Sequence, residues 1–207
     1  MGFYARHVLP RMIDLSCGMK PVRKQREKVV PRAHGRVLEI GIGSGLNLAH
    51  YDRTRVGELI GLEPSPEMRR IAERRARAAG LDVQWLGLEA ERIPLPDQSV
   101  DSIVMTYTLC TIDDAAAAMS EMRRVLAPGG ELLFSEHGRA PDAKVARMQD
   151  RLTPYWSRFA GGCRLNRDIP ALLRSGGFTL DELETMYLPG APRAMGYTFW
   201  GRARTTG

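Results

Sequence analysis

The amino-acid sequence predicts an α/β fold, in which helices cover both faces of a doubly wound, seven-stranded, mostly parallel sheet. From residue 36 onward, apolar runs of strand length alternate with segments of helical spacing, which is the pattern of a parallel sheet. A glycine-rich turn follows the first run, and the last two runs are close enough in sequence to pair antiparallel. With 207 residues, 43% of them hydrophobic and 26% charged, the chain is expected to form one domain over 1–207.

Four strands and their connections account for the first half of the predicted sheet. The spacing of Met68, Ile71 and Ala72 indicates a helix after the second strand, and Gly80 is a natural end for it. The fourth strand is apolar enough for a central position in the sheet. In order, the sequence predicts strands at 36–40, 58–62, 83–86 and 99–106, a helix that begins at 46–51, and a helix over 66–79.

The second half alternates in the same way and ends in a hairpin. An alanine-rich helix has Asp113 near its N-cap and Pro128 just beyond its end. The last two strands flank a proline-rich loop, which predicts an antiparallel C-terminal strand. The predicted elements are helix 113–126, strand 131–135, helices 143–159 and 168–175, and strands 179–186 and 196–203.

The N-terminal segment, 1–35, is predicted to form one or two helices interrupted at its prolines, Pro10, Pro21 and Pro31. It is too short for a domain, so we expect a helical lid over the ligand site. The candidate lid residues are Tyr4, His7, Trp156, Phe159, Asn166 and the flexible run Gly161-Gly162-Cys163. The rest of the chain then divides into a ligand-binding half, 36–136, and a substrate-side half with the C-terminal hairpin, 137–207.

Composition disfavours several classes of function. The net charge is +6, but the basic run at 69–77 has the spacing of an amphipathic helix, which disfavours nucleic acid as a partner. No apolar run approaches the roughly 20 residues that span a bilayer, and no leader is recognised, so we expect no transmembrane segment and a cytoplasmic location. Cys17, Cys110 and Cys163 are widely separated, which predicts free or buried thiols, no disulfide framework and no metal.

The strongest candidate for a ligand site is the turn after the first strand, which contains Gly41, Gly43 and Gly45. Glycine permits a tight turn and lets a ligand approach the backbone, while a following helix presents unpaired N–H groups. Glu63 ends the second strand about 20 residues later, where a carboxylate can accept both ribose hydroxyls. These residues predict a Rossmann-like nucleotide site, and by themselves they suit NAD as well as other adenosine cofactors.

Four motifs in order resemble those of class I S-adenosylmethionine-dependent methyltransferases, and the resemblance covers nearly the whole chain. They are Glu39-Ile40-Gly41-Ile42-Gly43-Ser44-Gly45, Gly61-Leu62-Glu63-Pro64-Ser65, the stretch 89–101 beginning Glu89-Ala90, and Arg123-Arg124-Val125-Leu126-Ala127-Pro128-Gly129-Gly130. The resemblance implies S-adenosylmethionine as cofactor and S-adenosylhomocysteine as product.

The same resemblance implies a role for each cofactor-binding residue. Glu39 is expected near the methionine amino group, Gly41 and Gly43 beside the amino-acid part, and Glu63 at the ribose. Glu89 and Ala90 are expected to contact adenine, with Glu89 in place of the usual aspartate. The predicted set is completed by Gly45, Asn47, Pro64 and Thr106, and the candidates for packing on the purine are Leu62, Pro64, Ile93 and Leu109.

Residues after the fourth and fifth strands are candidates for acting on the methyl acceptor, since open parallel sheets bind ligands at the carboxyl ends of their strands. We predict Tyr107 and His137 as catalytic residues, with His137 as the proton acceptor because its ordinary pKa is near neutrality. Methyl transfer from a sulfonium mainly requires positioning, and a thiol that ionises readily needs little help from a base.

The identity of the acceptor follows from the resemblance alone. Details at 47–51, Leu109-Cys110, Glu136-His137 and 161–167 are similar to a branch that includes alkyl-thiol methyltransferases, while the cofactor half resembles phosphatidylethanolamine and ubiquinone-pathway enzymes. The expected acceptor is therefore a small or lipophilic thiol, with N- or O-methylation of a lipid or quinone-like molecule as the alternative. A NAD-dependent oxidoreductase and a non-catalytic cofactor-binding protein stay open, and a monomer or homodimer is expected.

Overall fold

The computed structural model describes residues 3–206, so residues 1, 2 and 207 of the predicted lid and hairpin lie outside it. It contains a seven-stranded sheet in the order β3-β2-β1-β4-β5-β7-β6. The strands are β1 Gly35–Ile40, β2 Val56–Leu62, β3 Gln84–Leu86, β4 Val100–Thr106, β5 Leu126–His137, β6 Phe178–Tyr187 and β7 Tyr197–Thr205. Strands β1 to β5 pair in parallel, and β7 lies antiparallel between β5 and β6. The predicted α/β class and the antiparallel C-terminal strand are confirmed.

Helices cover the sheet and precede it. They are α1 Leu9–Cys17, α2 Lys20–Val29, α3 Pro66–Ala79, α4 Ala115–Val125, α5 Ala143–Phe159, α6 Ile169–Ser175 and the short α7 Arg193–Gly196. A π-helical turn at Tyr4–Val8 leads into α1, and a 3-10 turn at Val30–Arg32 follows α2. The bounds predicted for α3 and α5 are confirmed, and Gly80 ends α3 in the left-handed conformation at φ 62°.

Three predicted elements differ from the structure. The helix expected from residue 46 is only a 3-10 turn at Leu48–His50, because the connection to β2 is short and the side chain of Asn47 is used to hold β1 and β4. Helix α4 begins two residues later than predicted, and its N-cap is Asp114, next to Asp113; the Asp114 carboxylate accepts from the Ala117 amide. Strand β5 begins earlier than predicted, and a register shift against β4 accommodates its irregular start.

Alternate residues of the central strands fill two separate cores, one on each face of the sheet. The residues Leu38, Ile60, Ile103 and Leu132 belong to one apolar cluster, and Val37, Leu59, Val104 and Leu133 belong to the other. All but Leu59 are less than 1% exposed. Since both faces are covered, the carboxyl ends of the strands are the edge of the sheet that is available to a ligand.

The N-terminal helices lie against this edge. Pro21 occupies the first turn of α2, where a missing N–H costs nothing, while Pro10 lies just after the point where the π-helical turn passes into α1. Asp14 of α1 pairs with Arg75 of α3 at 2.6 and 3.0 Å and accepts from the Ser44 hydroxyl at 2.6 Å. Within residues 3–206, no helix is long and apolar enough to cross a membrane.

Candidate active site

A cavity of about 380 Å³ opens at the carboxyl ends of β1, β2 and β4. Helix α1 covers it with Leu9, Pro10, Ile13 and Cys17. The predicted site residues that line it are Glu39, Gly41, Gly43, Asn47, Glu63, Pro64, Glu89, Ala90, Thr106 and Tyr107. The fold therefore brings together most of the residues that the motifs indicated, from four separate parts of the chain.

The glycine turn forms the floor of this cavity. Gly41 and Gly43 have φ values of 62° and 58°, which favour glycine, and a Cβ on Gly41 would lie 2.6 Å from Thr108 Oγ1. Gly45 does not line the cavity. A Cβ there would lie 3.1 Å from the Ala72 Cα, so this glycine allows the turn to pack closely against α3. The predicted cradle is thus built by the first two glycines, with the third in a packing role.

Glu39, at the end of β1, is a carboxylate enclosed at one end of the cavity. Its side chain is only 1% exposed, and it accepts from Asn47 Nδ2 at 2.9 Å and from the Tyr51 hydroxyl at 2.7 Å. Asn47 Nδ2 also donates to Thr106 Oγ1 at 2.9 Å, which joins β1 to β4. Burial raises the pKa of Glu39 to about 7. A cation bound beside Glu39 would favour its ionised form.

Glu63, at the end of β2, joins the second strand to the glycine turn. Its Oε2 accepts from the Gly43 amide at 2.9 Å, and its Oε1 accepts from the Ser65 amide at 2.8 Å. Burial raises its pKa above the ordinary value. The carboxylate therefore shapes the turn and also faces the cavity, where it can accept from ligand hydroxyls.

Arg26 of α2 is a cavity residue that the sequence analysis did not identify. It is 5% exposed, and its Nε and Nη1 have no hydrogen-bond partner in the part of the chain that the structure describes. Its guanidinium lies 5.1 Å from the centre of the Tyr107 ring. Val22, Arg26 and Val29 share the buried face of α2 at helical spacing, and an arginine within such an apolar stripe was the available signal.

The predicted catalytic residues have different environments. Tyr107 lines the cavity with φ 55°, and burial raises the pKa of its hydroxyl, so this group stays protonated at neutral pH. His137 does not line the cavity, and its Nε2 lies 3.2 Å from Cys163 Sγ. The sequence separation of the cysteines predicted no metal site, yet the fold brings Cys110 to the same place as His137 and Cys163.

The predicted lid residues are distributed elsewhere, and of that set only Gly161 reaches the cavity. The Tyr4 hydroxyl donates to the Phe159 carbonyl at 2.7 Å, so these residues join the N-terminal turn to α5. Asn166 donates to Asp150, and Trp156 donates to Cys163. Of the purine-packing candidates, Leu62 and Pro64 line the cavity, while Ile93 and Leu109 belong to the core. Within the predicted lid segment, 1–35, α1 is the helix that covers the cavity with apolar residues.

The chemistry of the cavity fits S-adenosylmethionine. The Arg26 guanidinium, whose Nε and Nη1 have no partner among residues 3–206, suits a carboxylate, and the enclosed Glu39 suits an ammonium. At Gly41 and Gly43 the positive φ keeps side chains away, so a ligand can approach the backbone there. Glu63 and the loop at Glu89-Ala90 lie where a ribose and an adenine would extend along the strand ends.

Comparison with known proteins agrees with this fit. Residues 38–134 match the methyltransferase domain family. The human thiol S-methyltransferase TMT1B is 30% identical over 176 residues, which are 79% of this chain and 71% of that enzyme. Demethylmenaquinone methyltransferase of Thermus thermophilus is 31% identical over 135 residues, and this match spans 65% of the chain but only 61% of the Thermus enzyme.

A solved structure shows the same fold. The S-adenosylmethionine-dependent methyltransferase from Thermotoga maritima aligns over 97% of this chain and 99% of its own, with a TM-score of 0.66 and 23% identity. The motifs, the cavity and these relatives together show that the chain belongs to the family of S-adenosylmethionine-dependent methyltransferases and uses that cofactor.

Proposed function

We propose that this methyltransferase acts on the sulfur of a small, lipophilic thiol. The observation that carries the proposal is the apolar roof of the cavity, where α1 contributes Leu9, Pro10 and Ile13 opposite the cofactor-binding strand ends. An apolar wall binds an alkyl or aryl group through burial of its surface. The human relative, which is named for thiol S-methylation, also matches more of this chain than the Thermus quinone enzyme does.

Residues of three segments would hold the cofactor in this proposal. Glu39 faces the methionine ammonium, Arg26 binds the methionine carboxylate, and Glu63 accepts from the ribose hydroxyls. The bound sulfonium supplies an activated methyl group with a good leaving group. The protein therefore has to hold the acceptor in line with the methyl carbon and to exclude water, which α1 does by covering the cavity.

A thiol acceptor is consistent with the residues that α1 contributes to the cavity, because none of Leu9, Pro10, Ile13 and Cys17 carries a carboxylate or an imidazole. A free thiol with an ordinary pKa of about 8.5 is partly ionised near neutral pH, so a nucleophilic thiolate is available without a general base. A hydroxyl or an ammonium acceptor needs a proton acceptor. The predicted base, His137, has its Nε2 toward Cys163, and the proposal assigns it no proton transfer.

The test is a methyl-transfer assay with isotopically labelled cofactor and three matched acceptors, an aryl thiol, the corresponding phenol and the corresponding aniline. Methylation of the thiol at a kcat/KM at least tenfold above the other two is expected. A series of alkyl thiols should show kcat/KM rising with chain length, because each buried methylene contributes about 0.8 kcal/mol. Transfer to the phenol, the aniline or a quinol, with none to thiols, would overturn the thiol assignment.

Ile13→Ser tests the apolar roof in the same assay. This change should lower kcat/KM for a long alkyl thiol more than for a short one, since it removes apolar surface from the cavity wall. Met12→Ser on the same helix is the matched control, because Met12 is 38% exposed and does not line the cavity. Equal effects of both variants on all thiols would mean that the roof does not bind the acceptor.

A further inference from the structure

Three side chains that are far apart in sequence meet beside the cofactor cavity. Cys110 lies in the loop between β4 and α4, His137 is the last residue of β5, and Cys163 lies in the loop between α5 and α6. One potential ligand atom from each lies within 4.8 Å of the other two. Cys163 Sγ and His137 Nε2 lie 3.2 Å apart. We refer to these three residues as the sulfur–imidazole cluster.

The ligand atoms of the cluster and their spacing are those of a binding site for a thiophilic metal ion. Two thiolates and one imidazole are typical zinc ligands, with Zn–S of about 2.3 Å and Zn–N of about 2.0 to 2.1 Å. Tetrahedral geometry with these bond lengths places neighbouring ligand atoms roughly 3.5 to 3.8 Å apart. The cluster therefore needs only small side-chain movements to surround an ion, and three protein ligands leave one coordination position for water or an exogenous thiol.

The surroundings of the cluster hold its ligands in place. The Arg164 amide donates to the Cys110 carbonyl at 2.9 Å, which ties the two cysteine-bearing loops together. Glu136 Oε1 accepts from the Thr108 and Leu109 amides, which ties the loop of Cys110 to the strand of His137. Trp156 Nε1 donates to Cys163 Sγ at 3.4 Å, and outer hydrogen bonds of this kind orient metal ligands.

We propose that Cys110, His137 and Cys163 form a binding site for Zn²⁺ or another thiophilic divalent ion. Binding releases two protons from the cluster to solvent as the two Sγ–metal bonds form, and His137 coordinates as neutral imidazole through Nε2. The ion would fix one wall of the cofactor cavity, because Tyr107, Thr111 and Gly161 line that cavity and lie within three residues of the ligands. This proposal does not depend on the identity of the methyl acceptor.

The test measures metal binding by the full-length chain, purified under reducing conditions. After loading with Zn²⁺ and extensive desalting, one zinc per chain should remain by elemental analysis. Cys110→Ser, Cys163→Ser and His137→Ala should each weaken zinc affinity by at least tenfold. Cys17→Ser is the matched control, since Cys17 lines the cavity outside the cluster, and it should retain the zinc. Absence of retained zinc, or equal retention in all four variants, would overturn the proposal.

Cobalt substitution makes the test independent of how well the variants fold. Co²⁺ bound to the wild-type chain should give the intense d–d bands of tetrahedral coordination and a thiolate-to-cobalt charge-transfer band. Zn²⁺ should also raise the midpoint of thermal unfolding of the wild type and of Cys17→Ser, but not of Cys163→Ser. A cobalt spectrum typical of octahedral oxygen ligands would contradict the cluster as the site.

Discussion

At the scale of single residues, the ionisation of Glu39 connects burial to cofactor binding. Its folded-state pKa of about 7 exceeds the ordinary value of 4.5 because the side chain is fully enclosed. The empty protein therefore holds this proton more tightly than the unfolded chain does. The resulting contribution to the free energy of unfolding is fully present at pH 4.5 and below, and it is lost as the pH rises through about 7.

Cofactor binding should show the opposite trend with pH, because an ammonium beside Glu39 requires the ionised carboxylate. Between pH 6 and pH 8 the ionised fraction rises from about one tenth to about nine tenths, so the Kd for S-adenosylmethionine should fall by about tenfold. Glu39→Gln should bind more weakly and lose this part of the pH dependence, as measured by calorimetry. Glu58→Gln, an exposed change in β2, should keep the wild-type profile. Parallel profiles for wild type and Glu39→Gln would exclude Glu39 as the titrating group.

Arg26 gives a second prediction, in which affinity and stability change in opposite directions. Arg26→Met should raise the Kd for S-adenosylmethionine by about 10- to 100-fold, the range expected for losing a charge-assisted hydrogen bond. The empty variant should unfold at an equal or higher temperature, because the change removes a buried guanidinium with unpartnered N–H groups. Arg23→Met, on the exposed face of the same helix, is the control.

A ligand without the amino-acid part locates the effect of Arg26. Methylthioadenosine should bind the wild type and Arg26→Met equally, since it has no carboxylate for the guanidinium. Weaker binding of methylthioadenosine to the variant would show that Arg26 acts through the shape of the cavity instead.

Sequence motifs identify Glu39 and Glu63 because these residues lie at the ends of strands. Arg26 reaches the cavity only through the packing of α2, and no local motif encodes that packing.

At the scale of elements, the sequence predicts best those segments that begin at a capping side chain and end at a glycine. Helix α3 begins after the Ser65 cap and ends at Gly80 in the left-handed conformation, so both bounds are visible in the sequence. The segment after the glycine turn carries apolar residues and was predicted as a helix, but Asn47 is buried and bonded to Glu39 and Thr106. Such long-range hydrogen bonds override local helical preference, and they are not readable from spacing.

The contact between α1 and α3 leads to a prediction about the lid. Asp14 and Arg75 form a two-bond ion pair that is partly shielded from solvent, and Asp14 also accepts from Ser44 beside the glycine turn. Asp14→Asn should therefore loosen α1 and raise the cofactor Kd by about fivefold, the upper end for a partly exposed pair. Hydrogen exchange should become faster in α1 but stay unchanged in the central strands.

A double-mutant cycle checks that this effect comes from the pair. Arg75→Met should resemble Asp14→Asn, and the double variant should be little worse than either single one, because both remove the same interaction. Arg74→Met, an exposed change on the same helix, should leave Kd and exchange unaltered. Additive effects of the two changes would show that each residue acts through other contacts.

At the scale of the whole molecule, the cofactor cavity is assembled from nearly every part of the chain before β5. Its walls come from α1, α2, the glycine turn, the end of β2, the loop at Glu89-Ala90, and the end of β4 with the loop that follows it; Gly161 contributes from beyond β5. The N-terminal segment is also tied to the far edge of the sheet, because Arg32 pairs with Glu182 of β6 at 2.8 and 3.0 Å. The predicted division at residues 35 and 136 therefore separates parts that depend on one another.

Because the cavity exists only when these parts are assembled, a ligand that fills it should stabilise the fold as a unit. S-adenosylhomocysteine at 100 times its Kd should raise the free energy of unfolding by about 2.7 kcal/mol, and the thermal midpoint by about 5 to 11 °C for a chain of this size. NAD at the same concentration should give no shift, since an oxidoreductase site is not expected. Arg26→Met should need a correspondingly higher concentration of S-adenosylhomocysteine for the same shift.

Binding of S-adenosylhomocysteine should also slow hydrogen exchange in α1, in the glycine turn and at the end of β4 together. Protection confined to the glycine turn would show that α1 takes no part in binding.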